Sequence, residues 1–335
     1  MKYTLIIVLL LFTANACVNS SANSSSAINN KIEYKLVKDW LQLPQGFVLG
    51  DVTGVGLDTA QNIFAFHRSY TTWPVISILP DTFITAKTIL EIDRNTGKLI
   101  NSWGEGMFIM PHGLTVDQHN NVWVTDVVLN QVFKFSHDGK LLMKLGVERV
   151  SGDDSTHFNL PTDVAVAHDG SFYVSDGYGN SRVVKFSAEG KFLFQWGKKG
   201  SNPGEFNIPH AISLDKNQNV YVADRENDRI QVFDSTGKFL KEYTNKNYGN
   251  LYAVNFDTTA NQLVAVDYVT TLTVPKGSDV FVFDSTGNIQ NRFGRSGLYD
   301  GPVCRYHDIA VDRDGNIYTA DILDNHIQKF EKISK

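Results

Sequence analysis

Three histidines open three closely similar segments of the chain: His112 in HGLTVDQHNNVWVTD, His210 in HAISLDKNQNVYVAD and His307 in HDIAVDRDGNIYTAD. A fourth copy, TDVAVAHDGSFYVSD, opens on Thr162, and two weaker ones begin near Thr53 (TGVGLDTAQNIFAF) and Tyr252 (YAVNFDTTANQLVAVD). In chain order the first position therefore reads Thr53, His112, Thr162, His210, Tyr252, His307, with an imidazole in every second copy. Six like units around one axis would place alternate units about 120° apart, so the three rings should converge at similar depth. Three neutral imidazoles suit Zn²⁺ and leave its fourth position open to water or substrate, as in catalytic rather than structural zinc sites. His67, His119, His137, His157, His168 and His326 fall at turns or outer positions and are expected to be structural or solvated.

A second break in the repetition comes just past the second apolar run, where Arg68 follows FAFH, Tyr178 follows VSDG and Arg225 follows VAD. In a repeat protein these positions should face one end of the central channel. Two guanidiniums there could grip a carboxylate bidentately and hold a neighbouring phenol low enough to act as a base. The simpler reading makes each Arg an inter-repeat salt bridge and the Tyr a loop cap.

The elements that must position these groups follow from apolar periodicity. Each copy opens with a period-2 run, turns at an Asp/Asn/Gly cluster and resumes with an aromatic or β-branched run, the pattern of a β-hairpin. A third run follows, as in NQVFKF, SRVVKF, DRIQVF and NHIQKF, then a turn such as HDGK or STGK and a fourth stretch such as LLMKLG. Six four-stranded units in tandem predict an all-β, six-bladed β-propeller over residues 45–335, because one such sheet cannot bury both faces alone. Asp126, Asp176, Asp224 and Asp321 close the second strand in four of the copies. Recurring as they do, they are expected to hold turns rather than do chemistry.

Composition agrees with a packed body: 335 residues, 42% hydrophobic and 20% charged. The net charge of −5 and the lack of clustered Lys and Arg exclude the electrostatic footprint of a nucleic-acid binder. The N-terminus differs. Met1 and Lys2 precede TLIIVLLLFTA, short for a membrane span and suited to a signal-peptide core, so residues 1–16 are expected to be removed on export. At ANAC, Ala14 and Ala16 fit ordinary cleavage, while Cys17 fits a lipoprotein site and hence attachment to a membrane of the cell envelope, periplasmic or surface-facing, rather than free secretion. Residues 17–44, including VNSSANSSSAINNK, are expected to be a flexible tether and lead-in. Cys304 is the one other cysteine, so the body is expected to fold on its core alone.

Taken together, these segments, above all PHAISLDKNQNVYVADRENDRIQVFDSTGKFL, resemble the NHL-repeat propellers over nearly the whole chain after about residue 45. The resemblance narrows at GVGLD, FAFHRS, MPHGLTVD, HFNLPTDVAV, YVSDGYGNSRVVKFS, GEFNIPHAISL and YHDIAVD to the peptidyl-α-hydroxyglycine α-amidating lyase (peptidylamidoglycolate lyase) family. That resemblance implies zinc on His112, His210 and His307, and an active site of Tyr178, Arg68 and Arg225. It also implies a structural calcium on the carbonyls of Val55 and Leu114 and the carboxylate of Asp308, hard oxygen donors of the kind Ca²⁺ prefers. The implied reaction cleaves the N–Cα bond of a peptidyl-α-hydroxyglycine or similar amidoglycolate, a substrate with a carboxylate, to an amide and glyoxylate. Two features depart from the family. Asn159, Gly179, Tyr221 and Val232 stand where the animal enzyme has disulfide cysteines, and Arg305 stands where the family has a Met two residues before the last histidine. No stretch of the chain reads as a hydroxylating domain.

Two other classes compete with the lyase. A non-catalytic surface propeller could bind a ligand or protein partner at the channel mouth, with the tripod structural. A calcium-dependent lactonase would centre on carboxylates and amides, which three imidazoles do not supply.

Overall fold

The turn inside each repeat fixes the fold locally. The residue at the tight corner between first and second strands has positive φ in all six copies: Gln61 at 72°, Asn120 at 62°, Gly170 at 82°, Gln218 at 64°, Asn261 at 55° and Gly315 at 82°. In most copies an aspartate two to four residues earlier caps the corner; the Asp117 carboxylate, for example, accepts the backbone N–H of His119 and of Asn121, both at 2.9 Å. Such Asx-type bonds make the left-handed corner tolerable for residues other than glycine.

In the computed structural model, which describes residues 33–73, 78–244, 249–258, 261–269, 277–284, 286–295 and 299–333, these hairpins extend into six four-stranded antiparallel sheets. The first five blades are consecutive in the chain, over 52–103, 111–145, 163–196, 209–244 and 250–294. Their innermost strands are Val52–Leu57, Pro111–Val116, Asp163–Val166, Pro209–Leu214 and Asn250–Asp257. With Tyr306–Val311 of the sixth blade these strands touch in a closed cycle, the last against the first. The all-β, six-bladed propeller expected from the repeats is what the chain forms.

Burial falls from axis to rim. The second strands, such as Val122–Asp126 and Val220–Asp224, are buried at every position, whereas the outermost strand Leu141–Leu145 is largely exposed. Blades cohere through aromatic side chains between sheets, as where Trp123 meets Phe172 at 4.6 Å between ring centres and Phe66 meets Phe108 at 4.9 Å. Burying each such ring contributes about 2–3 kcal/mol. The recurring aspartates hold turns as expected. Asp126 accepts the backbone N–H groups of Ile109, Met110, Val128 and Leu129 at 2.7–3.0 Å, and Asp176 and Asp224 accept from Arg182 and Arg229.

The sixth blade corrects the expected boundary at residue 45. Its outermost strand is Glu33–Leu36, which pairs antiparallel with the chain's last strand, Glu33 opposite Ile333 and Leu36 opposite Phe330. The propeller therefore begins at least twelve residues earlier than the repeats suggest. The expected signal segment 1–16 and Cys17 lie outside the described residues. Among those described, no helix is long and apolar enough to cross a membrane, and the helical content is one 3-10 turn, Arg225–Asn227.

Candidate metal centre and active site

His112, His210 and His307 converge as their alternation predicts. Their ring centres lie 4.5–4.8 Å from one another, and the rings are 1–4% exposed. Each Nδ1 faces a backbone carbonyl in the following blade, at the same repeat position: His112 to Thr162 at 2.7 Å, His210 to Tyr252 at 2.6 Å and His307 to Thr53 at 2.7 Å. A carbonyl only accepts, so each Nδ1 carries the hydrogen and each Nε2 presents a lone pair. This is the orientation in which metal-binding imidazoles are held. Burial pushes all three well below the ordinary imidazole value. The Arg68 charge adds to this for His112, and the imidazoles' own proximity adds to it for His210 and His307, so all three are neutral at neutral pH.

The Tyr178 hydroxyl sits over two of these lone pairs, 3.0 Å from Nε2 of His112 and 3.0 Å from Nε2 of His210. One hydroxyl hydrogen can satisfy one of them. Among the described residues, three converging lone pairs in a buried site thus have one donor between them, and a cation fits that donor set.

The expected pair of arginines also arrives, with distinct surroundings. Arg225 starts the 3-10 turn, donates from Nη1 to the Tyr178 oxygen at 3.4 Å and from Nε to Glu226 at 2.9 Å, and stacks on the Tyr178 ring at 5.3 Å. Arg68 is 3% exposed; its Nε donates to the Pro111 carbonyl at 3.0 Å and its Nη1 to Asp51 at 3.1 Å. One expectation fails here. Burial pushes the Tyr178 phenol above its ordinary value, outweighing the opposing charges of Arg225 and Arg68, so the arginines alone do not make it acidic.

Sequence reasoning missed part of the pocket. A cavity of about 340 Å³ over the tripod is lined by Arg68, Tyr178, Arg225 and His307, by Arg305, which the sequence marked as a departure beside the last histidine, and also by Asp51, Trp73 and Tyr252. Trp73 packs edge-on to Tyr178 at 5.1 Å. Tyr252 holds the first repeat position of the fifth blade, so its place beside the histidines was available as a signal. His67 is a second miss: it is fully buried at the end of strand Ile63–His67 rather than outer, and its Nδ1 accepts the Ser69 N–H at 3.1 Å.

Further along the same inner strands, a cavity of about 330 Å³ is lined by Val55, Leu114 and Asp308, the three residues implied for calcium, together with Asp163. Asp308 accepts the Val55 N–H at 2.8 Å, and Asp163 accepts the Ile212 N–H at 3.0 Å. Burial raises both carboxyl groups, and the charge of Asp163 adds to the rise at Asp308. Two buried carboxyl groups near each other are neutralised by protons or by a cation, and their oxygens are the hard donors that a divalent cation such as Ca²⁺ takes. Asp163 was not singled out from the sequence, although it holds the same repeat position as Asp308.

A further cluster, Asp58, Glu91 and His137, has a structural explanation. In the second and sixth blades the aspartate before the turn takes a hydrogen bond from Trp123 Nε1 at 2.9 Å or Tyr318 hydroxyl at 3.0 Å. The corresponding residue of the first blade is Phe64, which has no donor. His137 from the neighbouring blade fills in, 3.1 Å from Asp58.

Comparison with known proteins agrees with this architecture. A family model described as a 6-bladed beta-propeller matches residues 153–264. The peptidyl-glycine alpha-amidating monooxygenase of Mus musculus is 38% identical over 320 residues, covering 88% of this chain and 32% of the mouse protein. Peptidyl-alpha-hydroxyglycine alpha-amidating lyase 1 of Drosophila melanogaster is 36% identical over 313 residues, covering 84% of this chain and 57% of its own length. A probable lyase of the same name from Caenorhabditis elegans is 43% identical over 198 residues, or 56% of each chain. The chain thus spans about a third of the monooxygenase relatives and little more than half of the lyases. Among solved structures, a streptogramin B lyase superposes with a TM-score of 0.56 at 14% identity, covering 90% of this chain and 98% of that one, which shows the fold alone. This chain folds as a six-bladed propeller, and by sequence it is homologous to proteins named peptidyl-alpha-hydroxyglycine alpha-amidating lyase.

Proposed function

We propose that this propeller is a zinc-dependent carbon–nitrogen lyase that cleaves the N–Cα bond of a peptidyl-α-hydroxyglycine or similar amidoglycolate, releasing an amide and glyoxylate. The observation that carries the reading is the Tyr178 hydroxyl 3.0 Å from two tripod nitrogens, flanked by arginines. Zinc on His112, His210 and His307 would act as a Lewis acid on the substrate hydroxyl and lower the energy of nearby anions. With a cation on the tripod and Arg225 beside it favouring the phenolate, the Tyr178 oxygen would take the hydroxyl proton. As the C–O bond becomes the aldehyde of glyoxylate, the N–Cα electron pair leaves with nitrogen, which regains a proton from Tyr178; no water, oxidant or net proton is consumed. Arg225, whose side chain lies at the pocket, would hold the glycolate carboxylate. Arg68 is already engaged by Asp51 and Pro111 and serves to position and charge the site.

Calcium at Val55, Leu114 and Asp308 belongs to the same reading as a structural ion, supported by the paired buried carboxylates. Export, with lipid attachment at Cys17, is likewise part of it. The competing reading, a non-catalytic binding propeller, has no use for a phenol poised on two metal-ligand nitrogens. The test is incubation of the zinc-supplemented protein with a hydroxyglycine-extended peptide and assay of glyoxylate. Release that stops on chelation is expected; folded protein with no release would overturn the substrate class.

A further inference from the structure

The three pocket arginines are not equivalent. Arg68 pairs with Asp51 and Arg225 with Glu226, whereas among the described residues no carboxylate lies within ion-pair distance of the Arg305 guanidinium. Its Nη2 instead donates to the Tyr252 hydroxyl, and its Nε is buried without a partner. The group is clamped by rings, with Cζ 5.2 Å from the centre of Tyr252 and 4.8 Å from that of Tyr268. Such clamping fixes the fork and shields it from water without neutralising it.

Arg225 stacks on Tyr252 as well, at 5.0 Å. Two guanidiniums therefore share one ring at the mouth of one cavity, with Glu226 as the acid bonded to Arg225. Asp51 lines the same cavity and feels the Arg305 charge, but its direct ion pair is with Arg68, so a partly desolvated cation is left without a close partner and a bound anion would relieve that cost. An amidoglycolate brings one carboxylate. The arrangement accommodates two.

We propose that Arg305, held by Tyr252 and Tyr268, is a second anion subsite, so that the preferred ligand carries another carboxylate on its acyl side, as in a dicarboxylic-acid amide or a peptide with an acidic residue before the hydroxyglycine. The amidoglycolate part of this statement rests on the lyase reading; the second subsite does not. Charge-assisted, bidentate pairing to a preformed fork gives strong discrimination between a carboxylate and an alkyl group of like size.

The test is calorimetric titration of the zinc-supplemented protein at low salt with N-succinylglycine and N-pentanoylglycine, which lack the α-hydroxyl and cannot be cleaved. The wild type is expected to bind the diacid about tenfold or more tightly than its alkyl counterpart. That gap should collapse in Arg305→Met and survive in part in Arg305→Lys, with circular dichroism confirming the fold of both. Equal affinities in the wild type, or a full gap in folded Arg305→Met, would overturn the proposal. Glyoxylate release from N-succinyl-α-hydroxyglycine separates the two claims: an affinity gap without release sinks the lyase reading and leaves the subsite standing, and release without a gap does the reverse.

Discussion

The phenol oxygen of Tyr178 lies 3.0 Å from Nε2 of His210, close enough that the hydroxyl and a metal on that nitrogen would act on the same substrate atom. Replacing Tyr178 by Phe removes the oxygen and leaves the imidazoles and their carbonyl partners in place. We expect kcat for glyoxylate release to fall about 10²-fold or more, with zinc content unchanged. Steady-state kinetics beside metal analysis checks both halves, and retention of full kcat would exclude Tyr178 as the proton acceptor.

Metal content asks about the tripod without a substrate. Elemental analysis of purified wild-type protein should find close to one zinc per chain, and His210→Ala should lose most of it. The His210 Nδ1 bond to Tyr252 is lost too, so the variant's fold must be checked by circular dichroism. A folded wild type that takes up no zinc when it is supplied counts against the metal centre and favours the binding-propeller alternative.

Arg68 predicts a stability effect. It is 3% exposed and bonded to Asp51, which is itself mostly buried, so Arg68→Ala leaves a carboxylate without its partner. Breaking such a pair costs about 3–5 kcal/mol. Urea unfolding should show a loss of that order for Arg68→Ala and a smaller one when Asp51→Asn is added.

His67 provides a pH signature outside the metal site. Burial lowers it from 6.5 to about 4. Because the unfolded chain takes up the proton first, this contribution is complete above about pH 6.5 and lost as pH falls toward 4. The loss reaches up to about 3 kcal/mol at the low end. His67→Gln keeps an acceptor for the Ser69 N–H, and its stability measured from pH 7.5 to 5 should decline less steeply than the wild type's. Parallel curves would remove His67 as a source of acid sensitivity.

The calcium assignment predicts a chelator effect that depends on two carboxylates. Melting temperature should fall when calcium is withdrawn with EGTA and recover on its return, and the double variant Asp163→Asn, Asp308→Asn should be indifferent to both. A wild type whose melting ignores EGTA would leave Asp163 and Asp308 as a proton-sharing pair.

Much of this was written in the repeats. The alternation of His112, His210 and His307 against Thr53, Thr162 and Tyr252 is visible in one dimension because each blade contributes its first inner residue to a shared axis. What stayed hidden depends on distance and burial. The strand Glu33–Leu36 has four residues and follows a Ser/Asn run, so nothing local marks it as part of a sheet whose other strands lie some 300 residues away. Arg305 and Tyr252 are 53 residues apart and meet through blade packing alone. The direction of the Tyr178 shift could not be read either, since nearby arginines are legible as residue types whereas desolvation is a property of the folded cavity.

The pairing of Glu33 with Ile333 brings the two ends of the propeller side by side. The ring is thereby closed by hydrogen bonds rather than by the chain, and the numbering of its blades reflects merely where the polypeptide was cut. Circular permutation follows: joining the ends near residues 33 and 333 and reopening an exposed turn such as that at Gly190 should yield the same ring, tripod included.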